Sequence, residues 1–191
     1  MAGRRSDTRE RIQQVALDLF VEQGYEKTSL REIAERLEVT KAALYYHFRT
    51  KDDIVRSLFE DIGEGVDEIL VWAREQPKPV PRAKVVERLA GLVAGRLVQV
   101  WRFVQDNQPA LKELHVANPL KEQLKELFDI LCAGERDPEV LLKNRLALVA
   151  LIMGNNPEVL PDCDAGRRSD IGLRVALQLV SPRGRDVETG T

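Results

Sequence analysis

A short stretch near the N-terminus combines side chains that suit contacts with nucleic acid. Hydroxyl, ammonium, phenol and imidazole groups lie there beside two alanines, between residues 40 and 47. Hydroxyl and imidazole groups donate hydrogen bonds to phosphates or base edges, and alanine methyls contact the C5-methyl group of thymine. The sequence therefore predicts a DNA-contacting surface made of Thr40, Lys41, Ala42, Ala43, Tyr45, Tyr46 and His47.

Two short helices joined by a tight turn are predicted to position this surface. Ser29 and Glu32 have the spacing of a capping box that opens the first of them. Thr40 can cap the following helix, residues 41–48. Ala34 supplies the small residue needed where the helices cross, and the arrangement is that of a helix-turn-helix. The apolar residues that would close the core between the helices are Leu37, Val39 and Leu44.

Some of these residues also have a purely structural interpretation. Ser29 and Thr40 would cap their helices whether or not DNA is bound. Tyr45 and Phe48 are large enough to belong to the core of the helix pair instead of its outer face. Residue type and spacing leave both roles open for these four positions.

The stretch resembles the tetracycline-repressor (TetR) family. The specific part is the run Leu44-Tyr45-Tyr46-His47-Phe48 followed closely by Lys51, and the resemblance covers about residues 7 to 55. One position departs from the pattern, because the family's turn usually has glycine where this chain has Glu38. A residue other than glycine in the left-handed conformation costs on the order of 1 kcal/mol. Either the turn is built differently here, or that strain is tolerated.

The resemblance implies a role for each matching position. Phosphate contacts are implied for Thr28, Ser29 and Lys51. The residues that would face the major groove are Thr40, Lys41, Ala42, Ala43 and Tyr45. Those that would lie near the DNA backbone are Tyr46 and His47. Arg4 and Arg5 would add further DNA contacts from a flexible N-terminal arm.

The whole chain is predicted to be all-α, with about nine helices. Apolar residues recur at helical spacing, and a content of 43% hydrophobic but only 5% aromatic residues favours helix over sheet. A three-helix DNA-binding domain is expected over residues 1–51 and a helical effector-binding and dimerisation domain over 52–181. Residues 182–191 are expected to be a disordered tail. The first helix is predicted to start at Asp7 and to end at Gly24.

The resemblance implies that the second domain binds a small effector. One long helix is predicted from Arg82 to Asp106, and at about 100° per residue Arg96 falls within its apolar arc. A buried guanidinium needs a partner, either a glutamate of a neighbouring helix or an anionic or carbonyl-bearing effector. Trp101, His115 and Phe128 fit a packed core as well as a ligand pocket. The candidate effector-binding residues are Arg96, Val100, Trp101, His115 and Phe128.

The last two helices are expected to form a dimer interface. The helix from Glu139 to Gly154 is apolar almost all round after Arg145, and the helix over about residues 167–180 has apolar residues on two faces. Such helices must be covered on more than one side. A four-helix interface between two subunits would cover both, and the resemblance implies the same kind of dimer.

Other classes of protein fit the composition less well. The net charge is −2, and residues 1–51 carry ten basic against eight acidic side chains, so charge alone does not identify a DNA-binding protein. No catalytic constellation, phosphate loop or metal-ligand spacing can be assembled. The longest apolar run, Leu146–Met153, is far shorter than the roughly twenty residues that span a bilayer. We therefore expect no enzyme, no cofactor, no metal site and no membrane partner, and a cytoplasmic location.

These features predict a dimeric transcription regulator of palindromic double-stranded operator DNA. The resemblance favours a repressor that a small-molecule effector releases from the operator. A regulator whose second domain serves dimerisation alone, without an effector, is the first alternative. An enzyme with an incidental helical bundle is the second.

Overall fold

The all-α fold is confirmed by a computed structural model that describes residues 2–108, 111 and 117–181, with the side chains of residues 2–6, 96, 117 and 118 left out. Within this part of the chain there are nine α-helices, and none has the length and apolar character needed to cross a membrane. The predicted tail, residues 182–191, lies outside the described residues. The helices are α1 (Ala2–Gln23), α2 (Leu30–Arg36), α3 (Lys41–His47), α4 (Lys51–Glu75), α5 (Arg82–Leu92), α6 (Val98–Asp106), α7 (Ala117–Leu131), α8 (Pro138–Asn155) and α9 (Ala165–Val180).

The chain divides into two compact units. The described residues of Met1–Glu68 and Arg96–Lys125 form the N-terminal unit, and those of Ile69–Gly95 and Glu126–Thr191 form the C-terminal unit. Because the first unit includes residues 96–125, α6 belongs with α1, α2 and α3. The functional domains predicted at residues 1–51 and 52–181 stay a prediction.

The first helix begins earlier than predicted. It starts at Ala2 rather than at Asp7, so Arg4 and Arg5 continue the helix and do not form a flexible arm. The physical reason is that alanine and arginine are strong helix formers and that no proline precedes Asp7, although Gly3 is a weak helix former. Gly24 follows the helix in the left-handed conformation, at φ +92°, as predicted for a helix-ending glycine.

α1 and α4 are joined by a buried polar contact inside an apolar core. The apolar side of α1 packs inward, with Ile12, Ala16 and Phe20 almost fully buried. Between them Gln13 is also buried, and its Nε2 donates to Ser57 Oγ at 2.8 Å and to an Asp61 carboxylate oxygen at 2.7 Å, both on α4. Because a buried amide without partners would be costly, these bonds fix how α1 lies against α4.

The long helix predicted from Arg82 to Asp106 is interrupted, and this part of the prediction is wrong. Residues Val93–Leu97 form a π-helical segment in which Gly95 has non-helical torsion angles, φ −83° and ψ −139°. Glycine allows the break because it has no Cβ. The count of 100° per residue needs an unbroken helix, so it cannot place Arg96 in a shared apolar arc. The side chain of Arg96 lies outside the described residues.

α8 and α9 pack against each other through two glycines in the C-terminal unit. A Cβ on Gly154 would fall on the Cα of Gly172 and 2.8 Å from its amide nitrogen. The two backbones are therefore closer than any larger residue allows at this point. α8 begins as predicted at Pro138, where Asp137 Oδ1 accepts a hydrogen bond from the Glu139 amide at 2.9 Å.

Candidate nucleic-acid interface

The start of α2 is fixed by the predicted capping box. Ser29 Oγ accepts from the Glu32 amide at 3.3 Å, and Glu32 Oε2 accepts from the Ser29 amide at 2.8 Å. The Ser29 hydroxyl also donates to the same carboxylate oxygen at 2.8 Å. These hydrogen bonds from Ser29 hold the pKa of Glu32 below its usual value. Ser29 is exposed, yet its hydroxyl already has a structural role in the cap.

The turn between α2 and α3 contains a strained residue. Glu38 has φ +56°, which is the left-handed conformation that favours glycine. The sequence left open whether the turn is built differently or tolerates a strained residue, and in the structure the strained residue is tolerated. Two hydrogen bonds to the end of α2 hold the turn, from the Glu38 amide to Glu35 O at 3.1 Å and from the Val39 amide to Ala34 O at 3.0 Å. The turn thus keeps a glycine-like backbone without glycine.

The core between α2 and α3 explains how the outer face of α3 is oriented. Leu44, in the middle of α3, is completely buried, and Phe48, which follows the helix, is 4% exposed. Phe48 therefore belongs to the core, and the Arg9 guanidinium lies 5.5 Å from the centroid of its ring. Ala34 and Leu37 of the α2 side are buried as predicted, whereas Val39 is half-buried.

The other side of α3 presents a surface of mixed chemistry. Thr40 caps the helix, and its Oγ1 accepts from the Ala43 amide at 3.2 Å. Tyr45 is 51% exposed, which favours an outer-face role over the core role. The rings of Tyr46 and His47 meet edge to face, with centroids 5.3 Å apart, and His47 is half-buried. The exposed residues of this surface are Thr40, Lys41, Ala42, Ala43, Tyr45 and Tyr46.

Thr28 does not lie on this exposed surface. It is 3% exposed, and its Oγ1 donates to the carbonyl of Gly24 at 2.9 Å and accepts from Gln23 Nε2 at 3.3 Å. The hydroxyl therefore stabilises the connection between α1 and α2. The Thr28 amide is also engaged, since it donates to Tyr25 O at 3.2 Å, so the phosphate contact of Thr28 stays a prediction.

Lys51 has partners within the chain. Its Nζ donates to Tyr25 O at 2.8 Å and lies 3.4 Å from Glu26 O, and the Glu26 carboxylate is 3.7 Å away. The ammonium also lies 4.2 Å from the centroid of the Tyr25 ring. Lys51 thus joins the start of α4 to the segment before α2, and only about a quarter of its side chain is exposed.

The positive charge of α2 is largely paired. Arg31 Nε lies 2.6 Å from a Glu35 carboxylate oxygen, and this hydrogen bond raises the pKa of Arg31. Arg36 forms an ion pair with Glu22 at 3.2 Å. Lys41 is exposed at the start of α3. Arg49, which the sequence analysis did not single out, is also exposed just after α3, and a basic residue directly after the predicted helix was the signal for it.

Tyr25 is a further residue that the sequence analysis missed. Its ring is buried against Phe20 and Phe103, with centroids 5.2 and 6.0 Å away, and its hydroxyl donates to Asp52. Burial, together with this bond to a carboxylate, raises the pKa of the phenol. An aromatic residue directly after the helix-ending Gly24 was the signal in the sequence. Tyr25 thus has a structural role next to the interface, because it joins the segment before α2 to the start of α4.

The candidate effector residues that the structure describes belong to both units, and their role stays a prediction. Val100 is buried and Trp101 is 38% exposed, both on α6 in the N-terminal unit. Phe128 is half-buried on α7 in the C-terminal unit. His115 and the side chain of Arg96 lie outside the described residues. Within the described residues, no group of His, Cys, Asp and Glu side chains could hold a metal ion.

The N-terminal part of the chain matches known regulators. Residues 12–58 match the family model of bacterial regulatory proteins of the tetR family. The transcriptional regulator AcrR of Shigella flexneri is 45% identical over 62 residues, which are 30% of this chain and 29% of that protein. The transcriptional repressor KstR2 of Mycolicibacterium smegmatis is 28% identical over 140 residues, 68% of this chain and 65% of that protein. The chain spans less than two thirds of the length of both relatives.

The fold extends the likeness over most of the chain. A protein from Saccharomonospora viridis, solved in complex with choline, superposes with a TM-score of 0.56 over 92% of this chain and 96% of that one, at 19% identity. At this identity the likeness concerns the fold alone. The capped helix pair, the glycine-like turn and the family model coincide at the same residues, so residues 12–58 form a helix-turn-helix domain of the tetR family of bacterial regulatory proteins.

Proposed function

We propose that the chain is a dimeric repressor that binds a palindromic operator through α3 and leaves it when a small-molecule effector binds. The observation that carries the proposal is the exposed surface of α3, whose six exposed side chains are backed by the fully buried Leu44. A rigid helix with alanines, hydroxyls and one cation on its outer face is suited to the major groove. Operator binding also implies a cytoplasmic location.

Each side chain of the interface has a proposed contact. Ala42 and Ala43 have side chains small enough for close approach to the bases, and Tyr45 reaches from the same surface. Tyr46 and His47 would meet the DNA backbone. Ser29 would contact a phosphate from the exposed start of α2, and Lys41 would add a phosphate or base contact as an exposed cation. The intramolecular partners of Lys51 favour a supporting role beside any phosphate contact.

Exposed apolar rows on α8 and α9 support dimerisation. Leu142, Leu146 and Val149 follow one another on successive turns of α8, and each is more than 40% exposed. Val175 on α9 is exposed to a similar extent. Rows of large apolar side chains on neighbouring turns are unusual on the surface of a monomer. A second copy of the chain would cover them through a two-fold interface and would supply the second α3 for a palindrome.

An effector is supported by the choline bound to the Saccharomonospora viridis protein, which has the same fold. The residues that we propose for effector contact are Arg96, Val100, Trp101, His115 and Phe128. Trp101 suits a ligand contact because it is partly exposed. The preceding residue, Val100, is buried and suits packing better than ligand contact. Titration of tryptophan fluorescence with choline and with a medium-chain carboxylate tests this, since Arg96 favours the carboxylate. If neither probe changes fluorescence or DNA affinity, the regulator without an effector gains support.

Selection of duplexes from a random library with the intact chain tests the proposed function. We expect enrichment of a palindrome whose half-sites lie about one helical turn apart, because a dimer presents two copies of α3. Tyr45→Ala should lose this enrichment while the fold is kept, since Tyr45 is exposed. Val71→Ala, at an exposed residue of α4 in the C-terminal unit, is the matched control and should select the same site. Equal recovery of all sequences would contradict the proposal.

A further inference from the structure

One side-chain hydrogen bond ties α6 to the segment that leads into α2. The Tyr25 amide donates to Asn107 Oδ1 at 3.2 Å. Asn107 follows the last residue of α6, and its Nδ2 donates to Phe103 O at 2.9 Å, which fixes the orientation of the amide group. Both residues belong to the N-terminal unit. The acceptor that Asn107 offers is thus held in place by its own helix.

Tyr25 is the point at which several elements hold the connection between α1 and α2. Its carbonyl accepts from Lys51 Nζ at 2.8 Å and from the Thr28 amide at 3.2 Å. Its hydroxyl donates to Asp52, which is also on α4. With the Asn107 bond, the amide, the carbonyl and the hydroxyl of Tyr25 all have partners. Residues 24–28 are therefore held by α4 on one side and by α6 on the other.

The position of these residues governs the position of the helix pair. The N-cap of α2, Ser29, follows Thr28 directly, and α2 carries α3 through the short turn at Glu38. A shift of the connection before Ser29 would move the whole α2–α3 pair, since the pair is packed as one body around Leu44.

We propose that Asn107 is a positioning residue for DNA binding, which fixes the amide of Tyr25 and thereby the orientation of α2 and α3. Asn107 itself touches no DNA in this account. The inference rests on the proposed function, and it makes the end of α6 part of the DNA-binding machinery. Removing this hydrogen bond leaves the Tyr25 amide unpaired, which costs roughly 1 kcal/mol. If the whole cost falls on DNA binding, operator affinity changes by about fivefold.

The test compares three variants of the intact chain. Asn107→Ala removes the acceptor, whereas Asn107→Asp keeps an acceptor oxygen but removes the Nδ2 bond to Phe103 O. Gln108→Ala changes the next residue, which is exposed and donates from Nε2 to Gln105 Oε1 at 3.2 Å, and serves as the matched control. Hydrogen exchange of the Tyr25 amide and of α2 is measured without DNA, and operator affinity and its salt dependence are measured in parallel.

We expect Asn107→Ala to exchange the Tyr25 amide at least several-fold faster and to bind the selected operator about fivefold more weakly. The slope of log affinity against log salt should stay unchanged, because no phosphate contact is lost. Asn107→Asp should exchange the Tyr25 amide more slowly than Asn107→Ala but faster than the parent chain, because it keeps an acceptor and loses the bond to Phe103 O. Gln108→Ala should behave like the parent chain in both measurements. A loss of stability alone would lower the unfolding midpoint without weakening affinity at a temperature where all variants are folded.

Unchanged exchange at Tyr25 in Asn107→Ala would overturn the inference, whatever the DNA measurement shows. Faster exchange with unchanged operator affinity would also overturn it, because the bond would then be structural only. If the parent chain bound no DNA specifically, the proposed function would fail, while the exchange measurement would still show whether Asn107 fixes the connection.

Discussion

Glu38 is a site of local backbone strain in the helix-turn-helix motif. The residue has φ +56° and lies in the exposed turn before α3. A left-handed conformation costs a residue with a Cβ on the order of 1–2 kcal/mol, and glycine avoids this cost. The sequence exposed the conflict but could not resolve it, because spacing alone does not give backbone torsion angles.

We expect Glu38→Gly to raise the free energy of unfolding by up to about 1 kcal/mol, since the relieved strain exceeds the added flexibility of the unfolded glycine. Chemical denaturation followed by circular dichroism measures the change. Glu38→Ala is the control, because alanine keeps the Cβ and therefore the strain. A lower stability of Glu38→Gly would show that the carboxylate itself stabilises the turn.

The two lysines at the ends of the motif should differ in their effect on DNA binding. Lys41→Ala should lower the salt slope of operator binding by about one, because an exposed cation next to a phosphate releases one counterion. Lys51→Ala should mainly lower stability, since the ammonium binds Tyr25 O and packs over the Tyr25 ring. Affinity measured over a range of salt concentrations, beside thermal unfolding, separates the two. The opposite pattern would make Lys51 the phosphate contact.

At the level of single residues, the sequence predicted caps well and buried partners poorly. Ser29 with Glu32, and Thr40 with the amide of Ala43, have local hydrogen bonds that follow from spacing. Thr28 and Lys51 were predicted to contact phosphate, but their polar atoms bond to the carbonyls of Gly24 and Tyr25. The Thr28 bond is local and was overlooked, whereas the Lys51 bond depends on how the start of α4 meets the segment after α1, and no local pattern contains that information.

Among the helices, the pair α8 and α9 depends on a close contact between glycines. Gly154→Ala should lower the free energy of unfolding by about 1–3 kcal/mol, because its Cβ would collide with the backbone of Gly172. Denaturation with urea measures the loss. Gly91→Ala on α5 is the control, since a Cβ there meets open space and helix propensity favours alanine by about 1 kcal/mol. Similar stability of Gly154→Ala and the parent would contradict the close packing.

The break between α5 and α6 shows where periodicity fails as a guide. Apolar residues continue at helical spacing from Val85 through Val93 to Val100, so the sequence predicts one helix. The backbone departs from that helix at Gly95. Hydrophobic spacing indicates which residues are buried, and both Val93 and Val100 are buried. It does not indicate whether the two residues belong to one continuous helix.

For the whole molecule, the exposed apolar row on α8 gives the prediction of assembly. Leu146→Glu should convert a dimer into a monomer, because a carboxylate in a buried interface would lose its hydration. Sedimentation velocity measures the change, and operator affinity should fall with it. Val71→Glu, at an equally apolar and exposed residue of α4, is the control and should stay dimeric. A Leu146→Glu variant with the parent's mass in solution would place the dimer interface elsewhere.

DNase I footprinting of the DNA flanking the chain's own gene tests most directly whether α3 binds a palindromic operator. We predict one protected palindrome with two half-sites about one helical turn apart. The same protein concentration of a folded Tyr45→Ala variant should leave this DNA unprotected. Absence of a protected palindrome with the parent chain, or equal protection by the Tyr45→Ala variant, would contradict the account.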